Sequence, residues 1–117
     1  MLIHYLTLNR QSGIFPEVKV KDVIRVLFVC KANTCRSVMA EAVCRYLTCL
    51  PNLNKRIEID SVGTDVGRGG DLPNSRAIMV TREYGLDIGG LRSRSVTKSD
   101  FFKFDYILAM AKKTLSS

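Results

Sequence analysis

The stretch FVCKANTCRSVMAEAV, residues 28–43, sets Cys30, Cys35, Arg36 and Ser37 within eight positions. Cys30 closes an apolar run, and Ser37 opens a helix-like one. A structural thiol has no use for an arginine six positions later, and a metal centre needs more ligands than these. The backbone between Cys30 and Ser37 must turn tightly. In such a turn successive amide N–H groups converge into a nest. The helix N-terminus adds unsatisfied donors and partial positive charge. Lys31, Ala32, Asn33, Thr34 and Cys35, closed by Ser37, therefore suit a phosphate-binding loop around a tetrahedral oxyanion. Arg36 can add two parallel hydrogen bonds to the same anion. Donors and positive charge of this kind favour a thiolate over a thiol. A thiolate at the floor of a phosphate cradle is a nucleophile aimed at phosphorus, which makes Cys30 the candidate nucleophile. Ser37 can hydrogen-bond the sulfur and improve it as a leaving group. Asn33 tolerates left-handed backbone better than most residues, as the middle of the loop requires. The loop is no Walker A motif, because Gly-Lys-Ser/Thr is absent and a cysteine holds the first position.

Positioning these groups takes a strand before the loop and a helix after it. VIRVLFV, residues 23–29, is a β-branched apolar run of strand length, and such runs suit a strand buried on both faces. From Arg36, Met39, Val43, Tyr46, Leu47 and Leu50 recur at helical spacing until Pro51 stops the run. RIEIDSV, residues 56–62, reads as a second strand. Strand, helix, strand implies a parallel pair with a right-handed crossover. GRGGDLPN is a loop, and Asn74 can cap a helix that runs to about Tyr84, with Gly85 as its stop. Thr97 and Asp100 match a capping pair for a short helix. FDYILAM is a third strand, and AKKTLSS opens a further helix. Residues 1–22 read as an N-terminal extension, and residues 23–117 as one α/β domain.

The net charge of +7 and pI near 9.5 favour anionic partners. No nucleic-acid motif accompanies that charge. No apolar run approaches the ~20 residues that span a bilayer. The N-terminus lacks the basic start of a signal peptide. Four cysteines without a secretory signal predict reduced thiols in the cytoplasm. Their C-x4-C-x8-C-x4-C order is a poor zinc pattern, so no metal and no cofactor is expected. Cys44 and Cys49 fall in the helical pattern and read as small core residues.

VLFVCKANTCRSVMAEAV resembles the active-site loop of low-molecular-weight protein tyrosine phosphatases. The likeness continues through IDSVGT, LPNSRA, YGLDI and TKSDFFKFDYILAM, covering about residues 24 to 115. The resemblance implies a twisted four-stranded parallel sheet flanked by helices. It also implies hydrolysis of phosphotyrosine or aryl phosphate esters through a cysteinyl-phosphate intermediate. Cys30 is then the nucleophile and Arg36 the phosphoryl-binding residue, with Ser37 supporting the thiolate. Asn33 shapes the loop through a hydrogen bond to Ser61, and Cys35 can trap an oxidised Cys30 as a reversible disulfide. Partners would be a phosphotyrosine protein or small aryl phosphate, and inorganic phosphate or other oxyanions, with neither nucleic acid nor membrane.

The sequence departs from that family in several places. Ala32 stands for a usual glycine, where a methyl group could crowd the loop, and Val38 for a proline. Lys31 replaces an apolar or small residue, the pocket-wall aromatic near residues 65–67 is absent, and Ala111 and Thr114 stand for an aspartate and an asparagine. The family's general acid is an aspartate followed by proline. None of Pro16, Pro51 and Pro73 follows an aspartate. The chain therefore reads as lacking the last strand and helix, with the general acid unknown, Asp71 as the nearest loop candidate, and turnover weak. A sheet missing its last strand has an edge suited to pairing with a second copy or with the strand-like LIHYLTL. Two other functions compete. An arsenate reductase uses the same loop but needs resolving cysteines downstream, and none follows Cys49. A phosphate-binding regulatory module would keep the cradle without fast turnover.

Overall fold

The structure is a computed structural model that describes residues 22–110. The expectations for residues 1–21 and for a helix at 111–117 lie outside the described residues. Three strands form one parallel sheet: β1 (Ile24–Cys30), β2 (Ile57–Gly63) and β3 (Tyr106–Ala109), in the order β2-β1-β3. β1 lies in the middle with a neighbour on either side, which is why its sequence is apolar nearly throughout. Helix α1 (Arg36–Cys49) connects β1 to β2, and α2 (Ser75–Glu83) and α3 (Lys98–Lys103) lie between β2 and β3. The architecture agrees with the α/β expectation, and each strand shifts from its expected bounds by a residue or two.

The helix ends have local causes. Asn74 Oδ1 accepts the Arg76 N–H at 2.8 Å and caps α2. Gly85, at φ +77°, ends it: its N–H bonds the Arg82 carbonyl while the Leu86 N–H reaches the Thr81 carbonyl, the paired closure of a Schellman motif. A capping box joins Thr97 and Asp100 at the start of α3, with the Thr97 N–H on Asp100 Oδ2 at 2.7 Å.

The register of β1 and β2 sorts their side chains between the two faces of the sheet. Leu27 pairs with Asp60 and Val29 with Val62, while Phe28 pairs with Ser61 and Cys30 with Gly63. Because side chains alternate along a strand, Asp60 and Ser61 point to opposite faces. One face holds the core of Leu27, Val29, Val62 and Phe104. On the other side of the molecule Val38 of α1, Ala77 of α2 and Ile88 form a second cluster.

The apolar repeat in the sequence locates α1 but not its buried face. Val43, Tyr46, Leu47 and Leu50 are exposed, whereas Ser37, Val38 and Glu41 are buried. The expectation that Cys44 and Cys49 are core residues is corrected in the same way: Cys44 is half-buried and Cys49 exposed. Cys49 lines a cleft with Arg45 and Glu58, and Val43, Tyr46 and Leu47 line an open groove with Val80 and Tyr84. Among the described residues no helix is long and apolar enough to cross a membrane.

Candidate active site

β1 delivers Cys30 to the C-terminal edge of the sheet, and α1 begins six residues later. Neighbouring segments grip the backbone between them. The carbonyls of Cys30, Lys31 and Thr34 accept the N–H groups of Thr64, Asp65 and Asn74 at 2.9, 2.8 and 2.7 Å. In a trans peptide the N–H lies opposite the C=O. The N–H groups of Lys31, Ala32 and Cys35 are therefore turned away from those segments. The first amides of α1 have no intrahelical acceptor, and no side chain caps them. The backbone of the loop is thus held from outside, and the first turn of α1 carries no side-chain cap.

Gly63 makes this packing possible. A Cβ at Gly63 would stand 2.5 Å from the Lys31 carbonyl oxygen and 3.0 Å from the Asn33 nitrogen, and against a Val66 methyl. The first two neighbours are backbone of the loop itself, so only a glycine lets β2 support it this closely. Asn33 takes the left-handed conformation, at φ +57°, while Ala32 is absent from the positive-φ residues and is exposed. Ala32 thus sits in backbone that an alanine adopts without strain, and the positive-φ position of the loop belongs to its neighbour Asn33.

Cys30 is 2% exposed, and two groups hydrogen-bond its sulfur. The Asn33 N–H lies at 3.3 Å and Ser37 Oγ at 2.9 Å. Asn33 Nδ2 donates to Ser37 Oγ and Ser61 Oγ, each at 2.9 Å, and Asn33 Oδ1 accepts the Arg94 N–H at 3.0 Å. Ser61 Oγ donates to Glu41 Oε1 at 2.7 Å, and the other oxygen of that carboxylate is held by Arg45. Arg94 is fastened below by Asp60 and Asp100. Burial would by itself raise the Asp100 carboxyl, but hydrogen bonds from Arg94 and Thr97 outweigh it and hold the group below the usual carboxylate value. No buried side-chain polar atom among the described residues lacks a partner.

Cys30, Asn33, Ser37 and Ser61 are thus brought together as expected. Lys31 and Arg36 are exposed at the loop, with Arg36 the first residue of α1, and Thr34 and Cys35 are half-buried. Asp71 is exposed, and its backbone is tied to Ser93, whose Oγ accepts the Asp71 N–H at 2.9 Å. Burial pushes the Cys44 thiol up. Sequence reasoning missed Gly63, Glu41, Arg45 and Arg94. A signal for two of them existed: Ser37, Glu41 and Arg45 recur at four, a polar stripe that reads by default as a solvated helix face.

The sequence model of the family described as low molecular weight phosphotyrosine protein phosphatase matches residues 25–117. Low molecular weight protein-tyrosine-phosphatase YfkJ of Bacillus subtilis is 38% identical over 94 residues, covering 80% of this chain and 60% of that protein. The low molecular weight phosphotyrosine protein phosphatase of Sus scrofa is 41% identical over 90 residues, covering 77% of this chain and 56% of that protein. The crystal structure of YfkJ from Bacillus subtilis superposes with a TM-score of 0.78 at 36% identity, over 82% of this chain and 60% of that one. The chain spans 56–60% of the length of these curated relatives.

Proposed function

The chain belongs to the low molecular weight phosphotyrosine protein phosphatase family, and from that premise we propose that it acts on phosphotyrosine or other aryl phosphate esters through Cys30. The Cys30 thiolate attacks phosphorus and the ester P–O bond breaks. The phenolate leaves and takes a proton from water. A second water then attacks the cysteinyl phosphate, which releases inorganic phosphate and restores the thiolate. Arg36 and the loop amides hold the phosphoryl oxygens through both steps, and Ser37 supports the sulfur as it leaves. The observation that carries this reading is the setting of Cys30 Sγ. It receives Ser37 Oγ and the Asn33 N–H at the foot of a helix that no side chain caps.

No aspartate–proline pair occurs in the sequence, so the 117-residue chain brings no family-type general acid. A missing general acid costs about 10²–10⁴-fold in turnover. Phosphotyrosine should suffer most, because its phenolate leaves poorly without a proton. An aryl phosphate with an activated leaving group should suffer least. The test is hydrolysis of both esters beside binding of vanadate or tungstate, with Cys30→Ser as control. Oxyanion binding with slow, Cys30-dependent turnover supports the reading. Absence of oxyanion binding would end it. Peroxide treatment adds a second check. Cys35 is the partner for an oxidised Cys30, and non-reducing peptide mapping should recover the Cys30–Cys35 link.

A further inference from the structure

Glu41 lies on α1, is 2% exposed, and is hydrogen-bonded by Ser61 and Arg45. Its surroundings reach the sulfur through hydrogen bonds whose directions can be assigned. A carboxylate paired with Arg45 only accepts. The Ser61 hydroxyl must therefore donate to Glu41, and its lone pairs are left for Asn33. At the other end of the Asn33 amide, the Arg94 N–H requires an acceptor and fixes Oδ1 there. Both ends agree, so Nδ2 faces the two serines and can only donate. Ser37 Oγ is then an acceptor from Asn33, and it is 0% exposed. Its hydrogen has one place left to go, the Cys30 sulfur at 2.9 Å.

We infer that Glu41 is a positioning residue for the nucleophile: through Ser61 and Asn33 it sets the Ser37 hydroxyl as a donor to Cys30 Sγ. Hydrogen bonds run outward from Asn33 towards two acceptors, the carboxylate of Glu41 and the sulfur of Cys30. Arg45 secures the far end by gripping Glu41 Oε2 with both Nε and a terminal nitrogen. Replacing Glu41 with glutamine keeps the shape and spoils the direction. The Arg45 guanidinium demands the amide oxygen, so the amide NH2 turns to Ser61. Ser61 then meets donors on both sides, its own hydrogen is stranded, and Asn33 loses its anchor.

The inference rests on the reading of Cys30 as the nucleophile, so the measurement avoids turnover. Alkylation of Cys30 by iodoacetamide is followed across pH by peptide mapping, in wild type, Glu41→Gln, Ser61→Ala and the double variant. Wild-type labelling that phosphate does not slow would count against the phosphatase reading alone. Granted that protection, the Glu41→Gln profile should move to higher pH by about one unit, the worth of a hydrogen bond to a charged group. Ser61→Ala should move it in the same direction. Adding Glu41→Gln to Ser61→Ala should move it no further, because the effect travels through Ser61. A merely structural Glu41 would give additive shifts instead. A Glu41→Gln profile that overlays wild type, or additive shifts in the double variant, overturns the inference. If Glu41→Gln fails to fold, the single Ser61→Ala profile decides: no shift there overturns it as well.

Discussion

The three helices of the described region begin in two different ways. At α2 and α3 the chain supplies its own acceptors, Asn74 in one and the Thr97–Asp100 pair in the other. At α1 it supplies none: Cys35 occupies the cap position and no side chain bonds the first turn. The loop entering α1 has its Cys30, Lys31 and Thr34 carbonyls bound to Thr64, Asp65 and Asn74. A capped terminus is finished by local sequence and serves stability. On the proposed function, the uncapped terminus of α1 is the one left for an anionic ligand. Damage to the first kind should cost mainly folding energy, and damage to the second should cost anion binding.

The sharpest way to break that contrast is at Gly63. Gly63→Ala drives a methyl group into the backbone of Lys31 and Asn33. It should cost about 3 kcal/mol of stability and abolish vanadate binding, as read by denaturant unfolding and titration. Unchanged binding would mean that the loop does not depend on β2 for its shape. Next comes Arg36→Ala, at the first residue of α1. It should weaken oxyanion binding roughly a hundredfold, the worth of its charged hydrogen bonds. The midpoint of unfolding without ligand should barely move. In wild type, phosphate should raise that midpoint by mass action, and in Arg36→Ala it should not.

The capped side gives smaller effects. Asp100 is held below the ordinary carboxylate value, so the stability it contributes is present above about pH 3.9. That stability is lost as pH falls further, through the lower folded value. Asp100→Asn should remove about 2 kcal/mol at neutral pH and flatten this acid limb in unfolding measured across pH. Asp100 also fastens Arg94, whose N–H holds Asn33, so a slight loss of oxyanion affinity should accompany it. Asn74→Ala should be the mildest, about 1 kcal/mol from the lost cap, with vanadate affinity unchanged. A large loss of affinity there would show that the Asn74 side chain, and not only its N–H on the Thr34 carbonyl, shapes the loop.

Local signals in the sequence determined the chemistry-bearing loop and the element order. Cys30, Arg36 and Ser37 at a strand–helix junction, Asn33 in mid-loop, Asn74 and Thr97–Asp100 at helix starts, and Gly85 at a helix stop all act within a few residues of themselves. Propensity, capping and positive φ are properties of short segments, so short segments reveal them. Tertiary structure alone decided which face of α1 is buried. The Val43, Tyr46 and Leu47 stripe marks the helix but stays exposed, because the register of β2 sets Ser61 opposite Glu41. It likewise decided that Gly63 must lack a side chain, that Ala32 can carry one, and that Arg94 reaches Asn33 across 61 residues of chain. The direction of the hydrogen bonds that end on Cys30 depends on partners from α1, β2 and the segment before α3. No stretch of sequence contains them together, and only packing around the parallel sheet brings them within bonding distance.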